Sequence, residues 1–353
     1  MAFTTIDDGS KYFQTALYTG NASDGLAVTF DGNSNLQPDW VWIKPRSFSG
    51  FSVSTDTSRG LTKTNYPNSD DAEETYTTRI QSMDSNGFTI NNDSDTINKS
   101  SQTFAAWSWK ANGGTTTAGA GNDTIATSTH QASTTAGFSI VTYTGEEANK
   151  TVKHGLSTAL DMLLVKNRNS TKDWRMWFKG FSGTQRLELN NNEARATTST
   201  SWNGTVPGSS VFSLGDDTNT NTDGDAFVAY CFHSVQGFSK FGSYNGNGND
   251  DGPFIYTGFK PALFFRKRTD STNNWNIWDN QRTPFNEMHA SSAINTTDVE
   301  DANTSYNDID FLSNGIKLHD TGDSHNGTDM SYIYAAWAEH PFVSSEGVPC
   351  TAR

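Results

Sequence analysis

Short apolar runs separated by polar turns recur along the whole chain, and three sets of them follow the same order. Each set has an aromatic opening run, a long apolar run ending in a basic residue, two shorter runs and an aromatic closing run. The long runs are WVWIKPR at residues 40–46, MLLVKNR at 162–168 and LFFRKR at 263–268. Five landmarks in constant order indicate internal repetition, which decides the fold prediction.

The seam between two repeats lies in FVAYCFHSVQGFSKFGSY, residues 227–244. Its first half resembles the closing runs FAAWSWK and YIYAAWA, and its second half resembles the opening runs YFQTALYTG and GFSIVTYTG. One unit therefore ends and the next begins there without a linker. The predicted organisation is a lead at 1–11, a first repeat at 12–110, a flexible Gly/Thr-rich linker at 111–136, a second repeat at 137–236, a third repeat at 237–342 and a tail at 343–353.

Helical periodicity is weak throughout, and the many short runs with turn signals between them are typical of β-sandwiches or barrels. We expect an all-β chain of three tandem antiparallel β-sandwiches with jelly-roll or lectin-like connectivity. The run at 40–46 is continuously apolar, which predicts a strand buried on both faces. Hydrophobic residues make up only 33% of the chain, but aromatic residues reach 12% and each ring buries a large area.

Charge narrows the classes of function. The formal net charge is −14, which disfavours binding to nucleic acid, where phosphate neutralisation dominates affinity. No apolar run is long enough to span a membrane, so we expect no membrane insertion. The start MAFTTIDDGS lacks the features of a signal peptide. Two cysteines give no disulfide framework, and Cys231 in a closing run is predicted to be a buried apolar residue.

Candidate catalytic groups are sparse. No histidine recurs at the same position in all three repeats. His154, in VKHGL, is interpreted as a turn residue rather than a catalytic base. His319 and His325 flank a Gly/Asp loop and are expected to be exposed. Neither a zinc-protease helix, a nucleophile elbow, a phosphate loop nor a dinucleotide fingerprint is present, so we predict no catalytic residues, no metal and no cofactor.

Two acidic stretches allow other interpretations. The clusters at 70–74 and 250–251 could hold a hydrolytic carboxylate pair, although neighbouring acids in loops usually serve solubility. Residues 216–225, DDTNTNTDGD, resemble a calcium loop in composition. Their glycine comes later than in an EF-hand and no bidentate Glu follows, so a polar hairpin loop is the preferred interpretation.

Two kinds of side chain are candidates for contacts with partners. Lys44, Lys166 and Lys267 recur at the ends of the long apolar runs. They could form a repeated anion or partner contact, but we favour a solvent-exposed position that discourages edge pairing. Most tryptophans coincide with repeat landmarks and are assigned to the core. Trp202 lies outside them in a loop and is the best single candidate for an exposed ligand contact.

The sequences of several segments resemble a recurrent family of virion proteins of tailed phages that is abundant in marine phages and cyanophages. The segments are YFQTALYTGN, NLQPDWVWIKPR, AGFSIVTYTG, GFSKFGSYNGNGNDDGPFIYTGFKPALFFRKRTDS, YIYAAWAEHPF and the ending GVPCTAR. The resemblance covers nearly the whole chain. It implies a tail-fibre-like or structural protein, brings no catalytic residues and leaves the location on the virion open.

From these observations we expect a non-enzymatic virion structural protein, made in the host cytoplasm. The leading function is a tail fibre or appendage adhesin that contacts other virion proteins and a host surface glycan, with a homotrimer as the expected assembly. One alternative is a decoration or cement protein of the capsid or tail. Another is a phage-borne polysaccharide depolymerase or a lectin-like glycan-binding protein. The chain lacks a collagen-like or heptad stalk, which favours a compact appendage over a long fibre.

Overall fold

The continuous apolar runs form strands, as their residue types favour. The structure is a computed structural model that describes residues 3–302 and 308–350. Residues 1–2 of the predicted lead, 303–307 of the predicted third repeat and 351–353 of the predicted tail lie outside this description. Strands hold 41% of the chain and helices 2%, so the all-β prediction is confirmed. None of the helices in the described ranges is long and apolar enough to cross a membrane.

The strands are numbered in chain order. After a 3-10 turn at Gly9–Lys11, the first repeat contains β1 (Phe13–Thr19), β2 (Leu26–Thr29), β3 (Trp40–Pro45), β4 (Val53–Asp56), β5 (Lys63–Thr64), β6 (Glu74–Thr75), β7 (Ile80–Asp84), β8 (Gly87–Ile90) and β9 (Thr103–Trp109). The next part contains β10 (Thr117–Ala118), β11 (Ser128–Ser133), β12 (Phe138–Thr144), β13 (Lys150–Lys153), β14 (Met162–Asn167), β15 (Arg175–Phe178), β16 (Gln185–Glu188), β17 (Ala196–Thr197), β18 (Val211–Leu214), a short helix α1 (Thr218–Asn221) and β19 (Ala226–Phe232). The last part contains β20 (Ser239–Asn245), β21 (Phe254–Tyr256), β22 (Phe259–Arg268), β23 (Asn276–Asp279), β24 (Ser292–Ala293), β25 (Ile309–Leu312), β26 (Gly315–Leu318) and β27 (Ser331–Pro341).

The same order of antiparallel strands recurs in three main sheets. In each, the closing strand lies between the opening strand and the long apolar strand: β1-β9-β3-β4, then β12-β19-β14-β15 within a larger sheet, then β20-β27-β22-β23. A smaller sheet accompanies each main sheet: β2-β8-β7, β13-β18 and β21-β26-β25. The number of modules, their boundaries and the jelly-roll or lectin-like connectivity stay predictions. Below, the first, second and third repeats mean the parts of the chain that contain the first, second and third main sheets.

Each main sheet buries both of its faces. Every residue of β3 is buried, as the continuous apolar run predicted. One face of the first main sheet, with Val41 and Ile43, packs against the smaller sheet in a core of its own. The opposite face, with Trp40 and Trp42, belongs to a second core that includes residues of all three repeats.

Three aromatic rings from the three closing strands meet in this shared core. Trp109, Phe232 and Trp337 form a triangle with ring centroids 6.4, 5.4 and 5.6 Å apart and interplanar angles of 72, 70 and 73°. These edge-to-face contacts are the favoured geometry for aromatic pairs. The rings occupy equivalent places, since they lie directly opposite Trp40, Met162 and Leu263, the first residues of the core-facing rows in the long apolar strands.

Part of the predicted linker is a strand. Sequence analysis assigned residues 111–136 to a flexible linker, but β11 pairs with β12 in antiparallel register from Ser128↔Tyr143 to Ser133↔Phe138. Short polar side chains allow this segment to lie at a sheet edge, where the main-chain hydrogen bonds of β12 specify the pairing. The linker prediction is therefore wrong for residues 128–133 and also for residues 117–118, which form β10 and pair with β11.

We predict that the three repeats unfold together because they share one core. Trp109→Ala removes one of the three rings of the aromatic triangle and should lower the free energy of unfolding by about 3–5 kcal/mol. Denaturant titrations followed by tryptophan fluorescence and far-UV circular dichroism should give a single coincident transition, shifted as a whole. Phe285→Ala is the control, because Phe285 is 75% exposed and its loss should change stability by less than about 0.5 kcal/mol. Separate transitions, with only one of them shifted, would contradict the shared core.

Candidate functional site

The three recurring lysines join the repeats to one another. Each Nζ donates to a main-chain oxygen of a neighbouring repeat: Lys44 to Thr296 at 2.9 Å, Lys166 to Asp70 at 3.0 Å and Lys267 to Asn192 at 3.2 Å. The first repeat thus contacts the third, the second contacts the first, and the third contacts the second. The lysines close a ring of three joins.

Main-chain hydrogen bonds follow the same cycle. The amide N–H of Gly50 donates to Thr297 at 2.9 Å, that of Lys172 to Asp70 at 2.9 Å and that of Asn273 to Asn192 at 2.8 Å. Each donor stands at the same distance after its repeat's lysine. The joins are therefore built from equivalent parts and do not depend on a single contact.

The prediction that the lysines are exposed strand ends is wrong. All three are at most 1% exposed. Burial lowers the pKa of Lys44 and Lys166 to about 8 and that of Lys267 to about 7. The reason is the strand alternation: the lysines follow Trp40, Met162 and Leu263 on the same face, which points into the shared core.

Two of the three joins add a carboxylate held between two arginines. Glu73 accepts from Arg59 of its own repeat at 2.8 Å and from Arg168 of the second repeat at 2.8 and 2.9 Å. Glu300 likewise bridges Arg282 at 3.3 Å and Arg46 at 2.9 Å. Burial alone would raise the pKa of Glu73, but the two guanidinium groups outweigh it and lower the pKa.

The third join lacks this bridge, and the local core changes with it. The buried ion pairs Asp56–Arg59 and Asp279–Arg282 are replaced in the second repeat by two rings, Phe178 and Phe181, with centroids 6.4 Å apart. At this join Thr269 takes the place of Arg46 and Arg168, and Arg195 takes the place of the bridging glutamates: the N–H of Arg195 donates to the main-chain oxygen of Thr269 at 2.9 Å, as the N–H groups of Glu300 and Glu73 donate to Arg46 and Arg168. A buried carboxylate needs full compensation, so the bridging carboxylate and its buried arginine are absent from this join together.

A tyrosine fixes the end of each opening strand. Tyr18, Tyr143 and Tyr244 stack on the directly opposite ring of the closing strand, with centroids 4.8–5.0 Å apart. Each hydroxyl donates to a main-chain oxygen, of Ile97, Thr220 and His325 respectively, at 2.6–2.8 Å. Burial raises the pKa of all three tyrosines, so they remain neutral donors at physiological pH.

A buried asparagine lies beside each of these tyrosine hydrogen bonds, and sequence reasoning missed it. Asn98, Asn221 and Asn326 are fully buried, and each follows the residue whose carbonyl accepts the tyrosine hydroxyl. The Asn98 amide group donates to Ser23 and Asn91 main-chain oxygens at 2.9 and 2.8 Å. The signal was available, because each asparagine precedes its closing aromatic residue by the same distance.

Trp202 is not an exposed contact, so that prediction is wrong. Its side chain is fully buried, and Nε1 donates to the main-chain oxygen of Gln185 at 3.1 Å. The polar residues that suggested exposure, Asn203 and Gly204, are exposed themselves and have positive φ values of 49° and 62°. This turn reverses the chain while the indole packs inward, where its large apolar area is favoured.

The candidate histidines are engaged in local contacts. His154 is fully buried, accepts from the N–H of Leu156 at 3.3 Å and lies 3.2 Å from the oxygen of Gly208. Burial lowers its pKa to about 4. His325 was expected to be exposed but is 1% exposed, and its Nε2 lies 2.8 Å from the Asp320 carboxylate. His319, which is half-buried, lies 2.8 Å from the Asp310 carboxylate.

The calcium-like stretch contains helix α1 rather than a hairpin loop. Asp217 caps α1 by accepting from the N–H of Asn219 at 2.9 Å, and its other oxygen accepts from Arg175 at 3.2 Å. Burial alone would raise the pKa of Asp217, but Arg175 and the hydrogen bonds outweigh it and lower the pKa. These oxygens are committed to protein donors.

One group of side chains has metal-ligand chemistry. Glu287, His289 and Asp308 each offer a ligand atom, and these atoms lie within 4.8 Å of one another. His289 Nδ1 lies 3.0 Å from the Asp308 carboxylate. Sequence reasoning had no spacing signal for this cluster, because Asp308 comes from a different segment of the chain than Glu287 and His289.

We predict that the buried lysines make stability rise with pH. Lys166 has a pKa of about 8 in the folded chain, against 10.5 for an ordinary lysine. Between these values the unfolded chain binds more protons, so the free energy of unfolding increases with pH, by on the order of 3 kcal/mol over the window. Lys166→Met should remove this part of the rise in denaturation series between pH 7 and 10.5. The half-exposed Lys63, changed to Met, is the matched control; equal slopes for wild type and Lys166→Met would refute the prediction.

The chain matches one described sequence family. No curated protein sequence matches the chain. A sequence family described as Domain of unknown function (DUF7483) matches residues 8–341, a range that includes all three main sheets and the three joins between them. The chain therefore belongs to the DUF7483 family.

Proposed function

We propose that the chain is a non-enzymatic structural protein of a tailed-phage virion, acting as a tail fibre or appendage adhesin. The observation that carries the proposal is the closed ring of three repeats around one aromatic core. Such a ring gives a stiff body whose strands serve stability and whose outer loops are free to vary. The resemblance of the sequence segments to virion proteins agrees with this role.

The use of the titratable groups supports a structural role over a catalytic one. Lys166 and its equivalents hold the repeats together, and Glu73 and Glu300 lie between arginines. Asp217 caps a helix, and His154 stabilises a turn. Catalysis instead requires such groups to converge on a space that a substrate can enter.

An aromatic pair on β21 is the best surface for a host glycan. Phe254 and Tyr256 are 46% and 47% exposed, while Ile255 between them is 4% exposed. The Lys240 ammonium lies 5.0 Å from the centre of the Tyr256 ring. Exposed ring faces are typical of sites that stack on apolar faces of ligands.

The other repeats show that the fold does not need these two rings. The buried Ile255 corresponds to Val28 and Val152, which pair with equivalent strands. The residues that flank those valines are small or polar: Ala27 and Thr29 in β2, which are exposed, and Thr151 and Lys153 in β13, which are half-buried. Aromatic residues at these positions in β21 alone point to binding rather than folding.

The proposed partners are other virion proteins and a host surface glycan, and the proposed location is the virion after synthesis in the host cytoplasm. A homotrimer remains the proposed assembly. A decoration or cement role is the alternative that the next experiment separates from adhesion.

Immunogold labelling of intact particles tests the location. We expect antibodies against the purified chain to label the tail of the phage that encodes it, with particles treated with pre-immune serum as the control. Label over the head would overturn the tail role and favour decoration. Particles that carry neither label nor the chain by mass spectrometry would overturn the virion assignment itself.

Binding to host cells tests the adhesive surface. The double change Phe254→Ser and Tyr256→Ser should weaken binding of the fluorescent chain to host cells by about tenfold or more, since stacking of two rings contributes on the order of 1–2 kcal/mol. The control is Thr151→Ser with Lys153→Ser at the corresponding β13 positions. Equal loss in both variants would contradict a site on β21. Release of reducing sugar ends from host polysaccharide would overturn the non-enzymatic assignment.

A further inference from the structure

In the second repeat, an added strand satisfies the outer edge of the main sheet. The residues of β12 whose main-chain groups point away from β19 are Phe138, Ile140, Thr142 and Thr144. Of these, the first three pair with Ser133, Gln131 and Thr129 of β11, and the N–H of Thr144 donates to Thr127 at 3.1 Å. An added antiparallel strand, β11, therefore satisfies the outward main-chain groups of the opening strand in the second repeat.

The equivalent edge of the first repeat is open. β1 is the last strand of its sheet. The N–H of Lys110 donates to the main-chain oxygen of Tyr12. Because antiparallel residues bond to their partner strand only at every second position, the main-chain groups that point away from β9 are those of Phe13, Thr15, Leu17 and Thr19. Within residues 3–302 and 308–350, no strand pairs with this side of β1.

A cleft lies next to the open edge. It has a volume of about 210 Å³, and its lining includes Gln14 and Thr15 from β1, Asn280 and Gln281 from the third repeat, and the acidic residues Asp31 and Glu339. Thr15 is 5% exposed, and its Oγ1 has no hydrogen-bond partner among the residues that the structure describes. A buried hydroxyl without a partner is costly, and Thr15 is one of the residues that line the cleft.

The second repeat shows how this cleft would be filled. Gln131 lies opposite Ile140, which corresponds to Thr15, and its side chain reaches across the join to the hydroxyls of Thr57 and Ser58 at 2.9 Å. Thr57 and Ser58 follow Asp56 at the end of β4, just as Asn280 and Gln281 follow Asp279 at the end of β23. The polar groups that receive β11 thus have direct counterparts in the cleft.

In the third repeat, the residues before β20 cover part of the outer edge of that strand. The outer edge of β1 has no such cover from the residues that the structure describes before it. The N–H of Val235 donates to the main-chain oxygen of Ser239, the N–H of Ser239 donates to that of Val235 across a tight turn, and the N–H of Phe241 donates to Ser234 Oγ. The segment that precedes β1 does not do the same. Thr4 of that segment donates to the main-chain oxygen of Gln236 in the third repeat at 2.9 Å.

We propose that the open edge of β1 binds an extended, Ser/Thr/Gln-containing segment of another protein as an additional antiparallel strand. The segment lies in the cleft beside Asn280 and Gln281, as β11 lies beside Thr57 and Ser58. Main-chain hydrogen bonds to Phe13, Thr15, Leu17 and Thr19 provide the binding, and a glutamine-like side chain opposite Thr15 reaches the third repeat. If the protein that supplies this segment is another virion protein, that identification rests on the proposed function. The binding itself does not depend on the proposed function.

A peptide with the sequence of residues 126–134, ATSTHQAST, is the probe. Labelled peptide should bind the full chain, and hydrogen exchange should show new protection of the Phe13–Thr19 strand. Leu17→Pro removes an outward N–H at a position where an edge strand tolerates proline, and should weaken binding by about tenfold or more. Ser243→Pro, at the corresponding outward position of β20, is the matched control and should bind the peptide like the wild type.

The outcomes separate the proposal from its alternatives. If Leu17→Pro does not fold, the peptide with Gln131→Pro replaces it, since that peptide lacks the central N–H and should bind weakly to the wild-type chain. Protection at β12 instead of β1 would mean that the peptide displaces β11, and would overturn the proposal. Absence of binding would also overturn it, whereas the labelling of virions would be unaffected.

Discussion

The contact between Trp109, Phe232 and Trp337 is the constraint on which the rest of the structure depends. Each ring belongs to the central strand of a main sheet, so the three sheets must turn one face toward a common centre. Their other faces remain apolar and are covered by the smaller sheets, which form a separate core in the first repeat and part of the large core in the other two. This double burial explains why the long strands are apolar at nearly every position instead of alternating.

The same geometry places charged groups where water is excluded. The core-facing row that begins with Trp40, Met162 and Leu263 ends in lysines, and their ammonium groups find main-chain oxygens of the next repeat. Burial of a charge is costly without such partners. Glu73 and Glu300 meet the same requirement with two arginines each, and the second repeat avoids it by replacing the ion pair with two phenylalanines.

The repeats differ most at their edges, and these differences carry the functional proposals. The second repeat covers its main-sheet edge with β11, the third partly covers its own, and the first leaves β1 open. The exposed rings of β21 have no aromatic counterparts in β2 or β13. Equivalent positions within one chain show which side chains the fold requires, and the exceptions are the candidates for binding.

The sequence by itself determined the all-β class, the burial of the long apolar runs and the places of their lysines, because these depend on residue type and strand period. It did not reveal that the lysines are buried, that Trp202 packs inward or that residues 128–133 form a strand. Each of these depends on what lies opposite: a neighbouring repeat, the main-chain oxygen of Gln185 or the free edge of β12. Only the tertiary structure decided them, because contacts between distant residues, not local propensity, supply the partners of buried polar groups.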